Sequence, residues 1–195
     1  MRLFLAVFPP AGVQRAVHAC IEALRCPGDG VSWVKPENLH YTLRFLGELG
    51  EDGARRAAEA ATEAAVKSRE FAAALGGLGA FPDPRRARVI WVGMSEGGEA
   101  LVVLARDLDR ALAKRGFGAP DKPFSAHLTV GRVREPRRDW TAALAEARPA
   151  GLAARFTVDR ICVVESQLNP RGSIYTVRAG APLATACPPT VATDR

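Results

Sequence analysis

The chain holds only three histidines, His18, His40 and His127, and two of them open the same tetrapeptide: His40-Tyr41-Thr42-Leu43 and His127-Leu128-Thr129-Val130. Given the composition, two of three histidines meet His-x-Thr-aliphatic by chance about three times in ten thousand, rare enough to outweigh the false-positive risk of a short motif. In a strand, residues two apart share a face and lie about 7 Å apart. Each copy therefore presents an imidazole and a hydroxyl together. If the two strands meet across a cleft, two imidazoles and two hydroxyls converge on one small volume. That set suits cleavage of a phosphodiester: a neutral imidazole takes a proton from the attacking oxygen and a protonated one gives a proton to the leaving oxygen. The threonines donate hydrogen bonds to the non-bridging oxygens. An unperturbed imidazole pKa near 6.5 lets both protonation states coexist at neutral pH.

Two other uses of the pair fit less well. Metal ligation lacks a carboxylate at a companion spacing and a third motif histidine, so no metal is expected. Core histidines with satisfied hydrogen bonds explain one copy easily and the repetition poorly. His18 lies beside the apolar stripe of a helix and is read as structural.

The elements that position the pair can be read from periodicity. Arg2 to Phe8 is an apolar run closed by Pro9 and Pro10, a buried first strand. Ala11 to Leu24 carries Val13, Val17, Cys20, Ile21 and Leu24 at helical spacing. After a Gly/Pro loop and a short strand at Ser32 to Val34, the first motif lies on a strand. There Leu39, Tyr41, Leu43 and Phe45 face the core and His40, Thr42 and Arg44 the other side. A helix capped by Asp52 runs to about Ser68, a glycine-interrupted strand covers Phe71 to Phe81, and Arg88 to Gly93 is another strand. Leu101, Leu104, Leu108 and Leu112 mark a helix over Glu99 to Arg115. The second motif follows, then strands at Phe156 to Glu165 and Ile174 to Arg178, joined by the turn Asn169-Pro-Arg-Gly. Residues 1–180 are expected to form one bilobal domain, and 181–195 a polar, proline-bearing tail without fixed structure.

Composition narrows the class. With 195 residues, 48% hydrophobic and 25% charged, the chain suits one soluble globular domain and excludes a collagen, a disulfide miniprotein and a disordered chain. No apolar run reaches membrane-spanning or signal-peptide length, so no membrane partner and a cytoplasmic location are expected. Cys20, Cys26, Cys162 and Cys187 show no metal or redox spacing, and Cys20 and Cys162 sit in apolar runs. The net charge of +6 favours a phosphate-bearing partner without proving one.

Taken together these segments resemble the two-histidine (2H) phosphoesterases, within them the bacterial and archaeal RNA 2′,3′-cyclic phosphodiesterases also known as 2′-5′ RNA ligases. Besides the motifs, the likeness includes Met1-Arg-Leu-Phe-Leu-Ala-Val-Phe-Pro, Glu37-Asn-Leu-His, Leu43-Arg-Phe-Leu-Gly-Glu, Arg88-Val-Ile-Trp-Val-Gly, Lys122-Pro-Phe, Gly131-Arg132, Glu165-Ser-Gln-Leu and Tyr175. Tyr41 and Ala126 depart from the usual residues, at positions expected to face away from the phosphate.

The resemblance implies an α+β fold of two pseudo-symmetric lobes, each an antiparallel sheet with outer helices, around a central cleft with one motif per lobe. It implies opening of 2′,3′-cyclic phosphate ends of RNA or oligonucleotides to 2′-phosphates, by a monomer without metal or cofactor, and in reverse a 2′-5′ ligation. His40 is then the general acid on O3′ and His127 the base on water, roles that pseudo-symmetry makes exchangeable. Thr42 and Thr129 hold the phosphate, and Arg132 matches a family arginine at the cleft. Arg44 is read either on the motif face or as a solvated strand-end residue. Phe8, Trp33, Phe45 and Phe124 are either base platforms or core. Arg85, Arg86, Arg88, Arg134, Arg137 and Arg138 are either an RNA surface or a solvated one. The competing function is a non-catalytic RNA-end binding module that keeps the cleft.

Overall fold

The computed structural model describes residues 1–135, 138–147, 155–169 and 172–185. In chain order these form β1 (Arg2–Val7), α1 (Ala11–Leu24), β2 (Val31–Trp33), β3 (Tyr41–Glu48), α2 (Glu51–Lys67), β4 (Phe71–Phe81), β5 (Val89–Glu96), α3 (Gly98–Ala113), β6 (Leu128–Val133), α4 (Thr141–Glu146), β7 (Arg155–Val158), β8 (Arg160–Asn169) and β9 (Gly172–Pro182). Single 3-10 turns precede β3, at Pro36–Asn38, and β5, at Pro84–Arg86.

The strands make one sheet in the order β7-β4-β5-β6-β3-β1-β8-β9, with β2 also on β6. Every strand pair is antiparallel. The order reads as two four-stranded halves, β3-β1-β8-β9 and β6-β5-β4-β7, each led by a motif strand. They join through one residue pair, Tyr41 with Leu128, both fully buried. The α+β, two-lobed expectation holds.

The helices cover one face of this sheet. The apolar stripes of α1 and α3 and the alanine stripe of α2 (Ala57, Ala60, Ala61, Ala64 and Ala65) bury against it. They pack on Leu5, Val7, Tyr41, Ile90, Val92 and Leu128, the alternate residues that period two directs to one side. A smaller cluster lies on the opposite face, where Phe4, Ala6, Cys162 and Val164 support Phe8 and Tyr175.

A bulge in each motif strand breaks the simple alternation. On β3, Thr42 pairs with Ala6 and Arg44 with Leu5, so Leu43 has no partner on β1. On β6, Thr129 pairs with Trp91 and Gly131 with Ile90, so Val130 has none on β5. The extra residue is the fourth position of the motif in both halves, and it shifts the side chains that follow directly, Arg44 and Phe45 on β3 and Gly131 and Arg132 on β6, to the other face. Arg44 thereby leaves the motif face and pairs with Asp109 of α3 at 2.7 Å, only 10% exposed. Phe45, expected in the core, turns to the motif face, is 63% exposed and lies 5.8 Å from the Phe4 ring. Arg132 moves to the motif face by the same step. Gly131 turns toward β2, where a Cβ would meet Val31 and Trp33 at 2.8 and 2.9 Å.

Other boundaries differ from expectation for local reasons. Asp52 does not cap α2, which starts from Gly50 without a side-chain cap, because its carboxylate pairs with Arg55 and Arg56. The strand expected over Phe156 to Glu165 is two, β7 on β4 and β8 on β1, parting at Asp159. The helix α4 carries one buried residue, Leu144, too little periodicity to be read. The chain also stays ordered past residue 180: Ala181 and Leu183 are buried, and Ala184 bonds to Ser68 and Glu70. Residues 186–195 of the expected tail, Cys187 among them, lie outside the described residues, as do Arg137 and the middle of the Asn169 turn.

Candidate active site

His40 and His127 each stand one residue ahead of their strands, and both are fixed in the same way. Nδ1 of His40 lies 2.7 Å from the Asn38 carbonyl, and Nδ1 of His127 lies 2.8 Å from that of Ser125. A carbonyl only accepts, so Nδ1 carries the hydrogen and Nε2 is the nitrogen left for proton transfer. Asn38 is itself tied down, donating through Nδ2 to the Ser173 carbonyl of β9 at 2.8 Å.

The Tyr41–Leu128 pairing sets the relation between the motifs. Carried one residue each way, the antiparallel register sets His40 across from Thr129 and Thr42 across from His127. Each imidazole thus faces the hydroxyl of the other half, about a local two-fold axis. The sequence expectation that both motifs converge is met.

The surroundings of the two rings differ. His40 sits in an aromatic enclosure, with ring centroids of Phe4, Tyr175 and Phe8 at 4.8, 5.2 and 5.6 Å. Burial pushes its pKa down from 6.5 to about 4, helped by the positive field of Arg132 and by His127, against the bond to Asn38. His127 is less enclosed, edge-on to Phe81 at 5.1 Å. Its pKa is lowered by burial and by Arg132, against the bond to Ser125.

Arg132 is exposed, acts on both imidazoles, and has no carboxylate partner among the described residues. A guanidinium whose charge reaches both imidazoles and which meets no carboxylate among the described residues is a ready anion site, with the planar donor fork that matches phosphate oxygens. Among the described residues no three His, Cys, Asp or Glu side chains converge as a metal centre, and no helix is long and apolar enough to cross a membrane.

Several flanking expectations resolve one way. His18 lies on α1, 42% exposed, 4.0 Å from Glu22. Phe8 and Phe45 belong to the motif face, whereas Trp33 and Phe124 pack against the main core. Arg86 pairs with Asp83, Arg134 bonds Ser32, and Arg138 stacks on Trp140. Four aromatic residues on the motif face are not reached as site residues by the sequence pattern: Phe4, Tyr175, Phe81 and Trp91. For Trp91 the signal existed, since it alternates with the buried Ile90 and Val92 and so must face the motif side.

The duplicated arrangement agrees with comparison to known proteins. The family model for LigT-like phosphoesterases matches twice, over residues 7–91 and 92–175, one His-x-Thr motif in each match. The chain belongs to the LigT-like phosphoesterase family. Among relatives, an RNA 2′,3′-cyclic phosphodiesterase of Archaeoglobus fulgidus is 39% identical, covering 90% of this chain and 96% of that protein. One of Methanothermobacter thermautotrophicus is 37% identical, covering 90% of this chain and 95% of its own length. The crystal structure of TT0787 of Thermus thermophilus superposes with a TM-score of 0.80 at 30% identity, over 95% of this chain and 99% of that one. As a LigT-like phosphoesterase the chain is an enzyme of phosphate-ester chemistry, and each family match brings one motif strand, β3 in the first and β6 in the second, to the middle of the sheet.

Proposed function

We propose that this phosphoesterase hydrolyses 2′,3′-cyclic phosphate ends of RNA to 2′-phosphomonoesters, using the two His-x-Thr motifs and no metal. The observation that carries the proposal is the crossed register, in which each imidazole faces the threonine of the other half, beside an arginine without a carboxylate partner among the described residues. A phosphate centred there meets two proton-transfer groups on opposite sides and three donors, from Thr42, Thr129 and Arg132.

In this mechanism His127 takes a proton from water and the water oxygen bonds to phosphorus. The bond from phosphorus to O3′ breaks, and His40 delivers the proton to O3′, leaving a 3′-hydroxyl and a 2′-phosphate. The depressed pKa of His40 at first favours it as the base. Access decides otherwise: water reaches the more open His127, while the aromatic rings around His40 keep competing water from the leaving oxygen. A bound phosphate anion beside His40 raises its pKa and supplies the charge that its proton needs. With a 5′-hydroxyl in place of water as the attacking group, His127 takes its proton, O3′ again leaves with the proton of His40, and the product is a 2′-5′ linkage.

The test is turnover of an oligonucleotide ending in a 2′,3′-cyclic phosphate. A 2′-phosphate product formed at an unchanged rate in excess EDTA is expected. A 3′-phosphate product, or activity lost to EDTA and restored by a divalent ion, contradicts the mechanism, and tight binding without turnover marks a binding module instead.

The phosphate donors rank below the histidines. Thr42→Ala or Thr129→Ala removes one hydrogen bond to a charged group, worth about 1.5–3 kcal/mol. Serine at either position is expected to retain most of the rate. Arg132→Ala is expected to raise KM as well as lower kcat, and an unchanged KM would remove it from the phosphate site.

A further inference from the structure

The cleft face of the second half carries a feature that proton transfer does not use. Trp91 stands directly opposite Thr129 in the β5–β6 register, on the motif face. Its indole lies flat across the neighbouring strand. A Cβ at Gly79 would meet indole carbons at 2.3 and 2.4 Å, and one at Gly93 would meet the ring at 3.2 Å. Two glycines thus clear the bed on which one indole face rests. Phe81 sits beside it, 5.2 Å between centroids, and is itself edge-on to His127. Neither ring belongs to the two apolar cores among the described residues. The equivalent position in the first half, paired with Thr42, is Ala6, which is fully buried in the small cluster. The two-fold relation is therefore broken where an aromatic plane is laid out beside one threonine only.

We infer that the indole of Trp91, flanked by Phe81, is the platform on which the nucleobase of the cyclic-phosphate nucleotide stacks, and that it gives purine ends an advantage over pyrimidine ends. This rests on the proposed phosphodiesterase activity. The geometry is that of one nucleotide. A base hangs from the same ribose whose O2′ and O3′ hold the phosphate. A phosphate bonded to Thr129 therefore sets the base about one strand spacing away, over β5. Stacking on an aromatic face is tolerant of base identity but grows with ring area, so purines gain most.

Two measurements on Trp91→Leu and the milder Trp91→Phe test it. In the first, kcat and KM are compared for 2′,3′-cyclic AMP, 2′,3′-cyclic CMP and a base-free methyl riboside 2,3-cyclic phosphate. Wild type is expected to prefer the purine over the base-free substrate through KM, and Trp91→Leu to reduce that preference about ten-fold, with Trp91→Phe between them. An equal loss on all three substrates, or an unchanged preference, overturns the inference. The second measurement is tryptophan fluorescence on titration with adenosine 2′-phosphate, against inorganic phosphate. Quenching by the nucleotide is expected to vanish in Trp91→Phe, since Trp33 and Trp140 pack together elsewhere, 5.9 Å apart. Quenching that survives in that variant, or its absence in wild type, rejects the platform. A wild type inert on all three cyclic substrates whose quenching still depends on Trp91 keeps the platform and rejects the phosphodiesterase.

Discussion

Alanine at His40 or at His127 is expected to lower kcat on a 2′,3′-cyclic phosphate end by about 10²- to 10⁴-fold, the usual size of a lost general acid or base. The double variant is expected to be little worse than either single one, because proton donation and removal belong to one event. The roles separate with a substrate whose leaving atom at C3′ is sulfur. A thiolate leaves without a proton, so that substrate should largely rescue His40→Ala and leave His127→Ala inactive. Rescue of the wrong variant reverses the assignment. His18→Ala serves as the reference, since its half-exposed ring lies on α1 beside Glu22, away from both motif strands. If that variant, with circular dichroism unchanged, were as inactive as the other two, the site would have been placed on the wrong histidines.

The second large effect is on stability in mild acid. Folding holds His40 neutral, with a pKa of about 4 against 6.5 for the free group. Between those values the unfolded chain binds a proton that the folded one refuses. Stability is therefore full above pH 6.5 and falls as the pH drops toward 4. The loss reaches at most about 3 kcal/mol, and His127 adds to it in the same direction. Denaturant midpoints at pH 7.5 and 5.0 measure it, and His40→Gln, which keeps the size and loses the titration, is expected to flatten the slope. Carboxylates such as Glu63 and Asp52 are shifted downward and titrate below this window. An equal slope in wild type and variant would mean that the ring is not held neutral.

Much of the site was legible because its signal is local. A strand declares its two faces residue by residue, so the His-x-Thr pairs and the buried partners Tyr41 and Leu128 could be read directly. What alternation could not reveal was the unpaired Leu43 and Val130, since a bulge is a property of the pairing and not of one strand. That single omission misplaced Arg44 and Phe45. Arg132 was reached only by resemblance, because strict alternation from His127 would have turned it away. The aromatic enclosure of His40 was partly hidden for a similar reason: Phe4 and Tyr175 come from strands at opposite ends of the chain, and only the sheet order brings them together. The helices needed no such partner, as their stripes are written every three or four residues.

The single Tyr41–Leu128 pair that joins the halves of the sheet lies directly beneath the reacting groups. If the halves rock against each other, that pair is the pivot, and displacement grows with distance from it. The imidazoles and threonine hydroxyls sit almost on the pivot, where the lever arm is short. Phe45, Trp91 and Arg134 stand farther out and would sweep through larger arcs. Because a misplacement of about 1 Å can cost roughly a hundred-fold in rate, the arrangement lets the rims open to admit and release a long polymer while the distance between proton donor and acceptor scarcely changes.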